Sequence, residues 1–156
     1  MRKLAITAAV VGLTALGLGV PATAAQASDT GAQVTGCNNK WPGRNGNVYA
    51  WDGLDCQGTL LGSTAGNDSD WNAAGGGFTG VWDRASSVMN AGYTGGNDVV
   101  QFWYLAGYGG GYACLSPNEY FADNLSDNHF SNGFVVDNNI RSHKWVTSAS
   151  CSVWLT

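Results

Sequence analysis

The sequence predicts an all-β sandwich in one domain stapled by two disulfides, and three observations predict it. Short aromatic and β-branched runs recur along the chain, Gly- and Asn-rich clusters separate them, and four cysteines follow an export signal. No stretch carries the period of a long amphipathic helix.

The signal comes first. Arg2 and Lys3 give a positive start, Leu4 to Val20 run without charge, and Pro21 to Ala27 supply small residues at which cleavage is expected after Ala27. A membrane-spanning helix needs about 20 apolar residues, and Pro21 closes this run early, so export rather than anchoring is the reading. The chain then divides into a signal peptide (1–27), a flexible N-terminus (28–36) and one domain (37–156), secreted, extracellular and expected to be monomeric. Without Arg2 and Lys3, five basic residues remain against eleven acidic ones, a net charge of −6. Such a chain repels phosphate backbones and anionic bilayers, so neither nucleic acid nor, after cleavage, a membrane is an expected partner.

Candidate strands in order are Val48 to Trp51, Leu60 to Ser63, Phe78 to Trp82, Ser87 to Asn90, Val99 to Tyr104, Tyr112 to Leu115, Gly133 to Val136 and His143 to Thr147. The clusters Gly43–Gly46, Gly75–Gly77, Gly95–Asp98 and Gly107–Gly111 read as loops. Seven tryptophans argue against disorder, because burying each contributes on the order of 2–3 kcal/mol.

Cys37, Cys56, Cys114 and Cys151 allow three pairings. Sequential closure, Cys37 with Cys56 and Cys114 with Cys151, puts one staple in each half and is the expected pairing. Zinc is disfavoured, because no two cysteines lie two to four residues apart and the only histidines are His129 and His143.

The two halves repeat. Trp51, four residues, Cys56, one residue, Gly58 has the form of Trp103, four residues, Tyr108, one residue, Gly110. Further along, the segments from Trp82 to Ser87 and from Asp137 to Ser142 both end in serine. The two glycines are 52 positions apart and the two serines 55, so the features recur in order at nearly one offset. Physically, an aromatic over a hairpin whose glycine is left-handed fixes a folded turn, and the serine ties that turn to a later strand.

At these residues, over about 37–147, the chain resembles the two-motif βγ-crystallin fold, with motif one at about 37–92 and motif two at about 97–147. More narrowly, the segments from Asp83 to Asn90 and from Gly107 to Gly110 are similar to secreted actinobacterial members of the peptidase inhibitor I36 family. Cys56 stands where the first motif usually has an aromatic, and Arg141 where the second usually has Ser or Thr.

The resemblance implies a double Greek-key sandwich and raises calcium, which this fold binds through Asn/Asp and Ser/Thr oxygens of both motifs. No cofactor is required, and a weak calcium site would involve Asp83, Ser86, Asp137 and Asn138. Trp82 replaces the leading acid or amide of the first copy, and Arg141 opposes a cation by charge and offers no acceptor. The family also implies inhibition of an extracellular peptidase, the function expected here, by a loop preorganised by disulfides. No closely spaced cysteine pair marks a reactive loop; Gly36–Gly46 and Ser116–Asn128 are the candidates.

The rival is carbohydrate or cell-wall binding through exposed aromatics. Trp51, Trp82 and Trp103 read as core or motif residues, leaving Trp41, Trp71, Trp145 and Trp154 for such a role. A toxin-like role lacks its usual cationic surface. Catalysis has little support, with Glu119 the only glutamate, no hydrolase motif, and Asp123 and Asp127 reading as turn residues.

Overall fold

The computed structural model describes residues 36–156; the signal peptide and most of the expected flexible segment lie outside them. The repeated turn signals and the aromatic and β-branched runs between them produce seven strands among the described residues: β1 (Asn47–Trp51), β2 (Leu60–Thr64), β3 (Ser87–Ala91), β4 (Val99–Leu105), β5 (Gly109–Leu115), β6 (Phe121–Ala122) and β7 (Ser142–Val146). A five-residue helix, α1 (Gly36–Lys40), precedes them. Gly36 was expected in the flexible segment but opens this helix, its N–H donating to Asp55 Oδ2 at 2.6 Å.

Two antiparallel sheets form, ordered β2-β1-β3-β6 and β5-β4-β7. In each half a hairpin is followed by an excursion and a strand that returns beside the first: β3 pairs with β1, and β7 with β4. The excursions cross over. The second half lends β6 to the edge of the first sheet, where Val88 pairs with Ala122 and Met89 with Phe121. The first half lends only Asp68, whose N–H and C=O both bond His143 on β7 at 3.0 and 2.8 Å. This is a double Greek-key sandwich in which each motif's third element crosses to the other sheet, as strand β6 in one and as the single Asp68 bridge in the other.

The inner faces meet in a core that includes Val48, Val88, Val100, Phe102, Leu115 and Ile140, all fully buried. Two expected strands do not form. Phe78–Trp82 makes one bridge, from Phe78 to Gly62, and turns away at Gly80, where φ is +67°. Gly133–Val136 makes one bridge, Val135 to His129, because Gly133 sits at φ +86°. Both segments contribute buried side chains instead, Phe78 and Val81 from one and Val136 from the other.

The disulfides are Cys37–Cys56 and Cys114–Cys151. The first ties α1 to the turn after β1, and the second ties β5 to the segment following β7. They close loops with separations of 19 and 37 residues. In the chain-entropy picture each stabilises the fold by about 3–4 kcal/mol.

Candidate functional site

The two repeated turns are built alike. Cys56 and Tyr108 both take left-handed backbone, at φ 54° and 62°, and are followed two residues later by Gly58 and Gly110 at φ 73° and 84°. Any Cβ at Gly58 would lie 2.4 Å from Asp52 Oδ1, so glycine is required there by space as well as by backbone. In the first half the Ser87 hydroxyl accepts from Cys56 N at 3.0 Å and donates to Gly53 O at 2.7 Å. In the second, the Ser142 hydroxyl accepts from Tyr108 N at 3.3 Å and donates to Leu105 O at 2.7 Å. Trp51 is buried against the Cys37–Cys56 bridge, whereas Trp103 is half-buried against Tyr112.

The segments ahead of those serines lie side by side. Asp83 N donates to Ile140 O at 3.2 Å, and Asn138 N donates to Ala85 O at 2.9 Å. Positions 83 and 138 both have positive φ, 57° and 55°. The motif residues of both halves therefore converge on one seam.

At that seam Asp83 meets Arg141. The Arg141 Nε lies 3.0 Å from both Asp83 carboxylate oxygens, and its Nη2 2.7 Å from Oδ2. These bonds hold the guanidinium pKa above its ordinary value. A divalent cation does not fit at Asp83, because a fixed positive group already uses its oxygens. Nearby, Asn138 Nδ2 donates to Asp137 Oδ2 at 2.7 Å, while Asp137 Oδ1 is shielded from solvent without a partner. Ser86 is buried, with its backbone bonded to Trp51 and Leu125. Among the described residues no three Asp, Glu, His or Cys side chains gather as a metal cluster.

Arg141 also organises aromatic rings. Its guanidinium carbon lies 5.2 Å from the Trp82 ring centre and 5.9 Å from that of Tyr104. Tyr104 in turn stacks on Phe134 at 4.9 Å and 8°. Phe134 is 55% exposed and Trp82 36%, so the ladder Trp82, Arg141, Tyr104, Phe134 lies at the surface. Trp82, read from sequence as a core or motif aromatic, is thus a surface residue. Below the ladder, buried Phe130 meets Tyr104 edge-on at 5.9 Å.

The two loops considered for inhibition are fastened to each other. Arg44 donates to Asn90 O and Gly92 O at 3.1 Å and to Pro117 O, with its guanidinium 5.3 and 4.9 Å from the rings of Trp41 and Tyr120. Gly36–Gly46 begins as α1, and Ser116–Asn128 contains β6. Neither presents a free extended segment.

Two further chemistry-bearing groups, His143 and Asp127, are satisfied structurally. His143 is fully buried, with Trp71 Nε1 donating to its Nδ1 at 2.8 Å and its Nε2 3.1 Å from Gly66 O. Burial lowers its pKa to about 4, against a smaller raising effect of the Gly66 carbonyl. Asp127 accepts from Asn128 Nδ2 at 2.7 Å and from Asn124 Nδ2 at 3.4 Å, as a turn residue would.

Exchanged strands, mirrored turns and the convergent seam define a βγ-crystallin-like double Greek-key domain. Among solved structures the chain is similar to a βγ-crystallin domain described for the evolution of the eye-lens βγ-crystallin domain fold (21% identity, 68% of this chain and 89% of that one, TM-score 0.48). It is also similar to a βγ-crystallin from Ciona intestinalis (20%, 64% and 99%, TM-score 0.45) and to one from an archaeon (23%, 64% and 96%, TM-score 0.44). No protein-family model and no curated protein matches the chain. The fold assignment rests on the chain's own strand pairing.

Proposed function

We propose that this chain is a secreted, non-catalytic peptidase inhibitor-like protein that meets an extracellular peptidase through the face formed by Trp82, Arg141, Tyr104 and Phe134. The ladder of these four side chains carries the reading. Trp, Tyr and Arg are the residues most enriched where interface energy concentrates, and exposed rings held in a stack lose little freedom on binding. The disulfides and the Asp83–Arg141 fork stiffen the support beneath them.

The mode differs from the loop-based one expected from sequence, because Arg44 fastens both candidate loops to the body of the domain. Occlusion by a rigid face fits this geometry better than a substrate-like loop. A non-catalytic role is supported by the sealed, fully buried His143. The export signal and the resemblance to the I36 family support an extracellular target, and the reading requires no cofactor.

The test is titration of the purified domain into thermolysin-like metallopeptidases and subtilisin-like serine peptidases, following residual activity and the integrity of the domain. Stoichiometric inhibition of one class with the domain uncut is expected. Full activity of every enzyme at large molar excess contradicts it.

A further inference from the structure

We propose that the cleft between Tyr93 and Trp145 is a binding site for a short, neutral saccharide. It is an open cleft of about 400 Å³, lined by none of the residues of the Arg141 ladder. That volume lies in the range of ligand clefts, about 300–1,000 Å³.

Glycines seat the two rings. A Cβ at Gly92 would fall 2.5 Å from the Trp145 ring, and one at Gly46 3.0 Å from the Tyr93 ring. Both aromatics therefore rest directly on backbone, in positions that any larger residue at 46 or 92 would displace. Tyr93 is 67% exposed, and neither its ring nor its hydroxyl has a partner among the described residues. The exposed Asn97 amide is likewise unengaged, and the Trp145 indole N–H is shielded from solvent without an acceptor. Asn45, by contrast, already holds the Tyr49 hydroxyl and Asn47 N at 2.6 and 3.1 Å.

The lining selects the ligand class. No Asp, Glu, Lys or Arg lines the cleft, so an anionic or cationic ligand would be desolvated without a counter-charge. A wholly apolar ligand would bury the Asn97 amide and the Tyr93 hydroxyl unpaired. A neutral sugar meets both requirements: its C–H face lies on an aromatic ring while its hydroxyls pair with the Asn97 amide and the Tyr93 phenol.

The experiment titrates the isotope-labelled domain with chitotriose, cellotriose and xylotriose, with trigalacturonate as an anionic control, following the indole N–H of Trp145 and the backbone amides of Gly92 and Gly95. Saturable shifts at these groups with at least one neutral trimer, and none with trigalacturonate, are expected. Tyr93→Ala and Asn97→Ala alter exposed side chains, so each should keep the wild-type melting temperature while weakening binding about tenfold. Three results overturn the proposal: no saturable shift with any neutral trimer, saturable shifts that persist unchanged in Tyr93→Ala, or loss of peptidase inhibition in Tyr93→Ala without any saccharide response. The last assigns the cleft to a protein partner.

Discussion

Trp71 donates its indole N–H to Nδ1 of His143 at 2.8 Å, across 72 residues of sequence and in the centre of the core. An indole can only donate, so His143 Nδ1 is the acceptor and Nε2 carries the proton toward Gly66 O. With the Asp68 pairing, this bond holds the excursion of the first motif against β7 of the second.

The pair makes stability depend on pH. Burial lowers the His143 pKa from its ordinary 6.5 to about 4, so the neutral ring is the form the fold favours. Its contribution is complete above pH 6.5 and declines as pH falls toward 4, by on the order of 3 kcal/mol in total. Denaturant melts at pH 7, 6 and 5 should show falling stability, and His143→Leu should flatten that dependence while lowering stability at pH 7. A wild-type profile flat from pH 7 to 5 contradicts the account.

Ser87 and Ser142 each bridge a left-handed turn to a strand through one donated and one accepted hydrogen bond. Ser87→Ala leaves Cys56 N and Gly53 O without that partner, and Ser142→Ala does the same to Tyr108 N and Leu105 O. Each should cost about 1–3 kcal/mol in chemical denaturation. Alanine variants as stable as wild type would show that the serines do not lock the turns.

Asp83 is held by Arg141, so calcium has little to gain at the seam. The melting temperature should be the same in millimolar calcium and in EGTA. Arg141→Ala should cost about 1 kcal/mol, since both partners are roughly one-third exposed and the fork is screened by water. A rise in wild-type melting temperature with calcium would place a cation at the seam after all.

Reduction of the disulfides removes two constraints worth about 3–4 kcal/mol each by the loop-closure estimate. Thermal melts with and without reductant should show a large loss of stability, and Cys114→Ala with Cys151→Ala should lose slightly more than Cys37→Ala with Cys56→Ala because its loop is longer.

The sandwich class and its strongest strands were legible in the sequence, which left three cysteine pairings open, of which the favoured sequential one forms. Val48–Trp51 and Val99–Tyr104 lie within β1 and β4 because the runs are rich in β-branched and aromatic residues that the sandwich buries. The exchanged third strands were not legible. One pairs through two residues and the other through Asp68 alone, inside Gly-, Asn- and Asp-rich segments with no alternation. Phe78–Trp82 misled for the opposite reason: Phe78 and Val81 are buried as anchors of an irregular segment. The candidate surfaces were hidden because they depend on distant partners. Arg141 was visible only as an obstacle to calcium, whereas its stacking on Trp82 and Tyr104 follows from the crossing of the two motifs. Trp145 was among the four tryptophans left for sugar binding, but nothing in the sequence set it apart from the other three, and its place over Gly92 needs the fold.

The most direct test of the proposed function compares the wild-type domain with the double variant Trp82→Ser, Phe134→Ser in the peptidase titration. Both side chains are exposed, so the variant should fold with an unchanged melting temperature. Stoichiometric inhibition by the wild type, weakened about a hundredfold or more in the variant, is the predicted result. Equal inhibition by both proteins would contradict the assignment of the Arg141 face, and inhibition by neither would contradict the inhibitor reading itself.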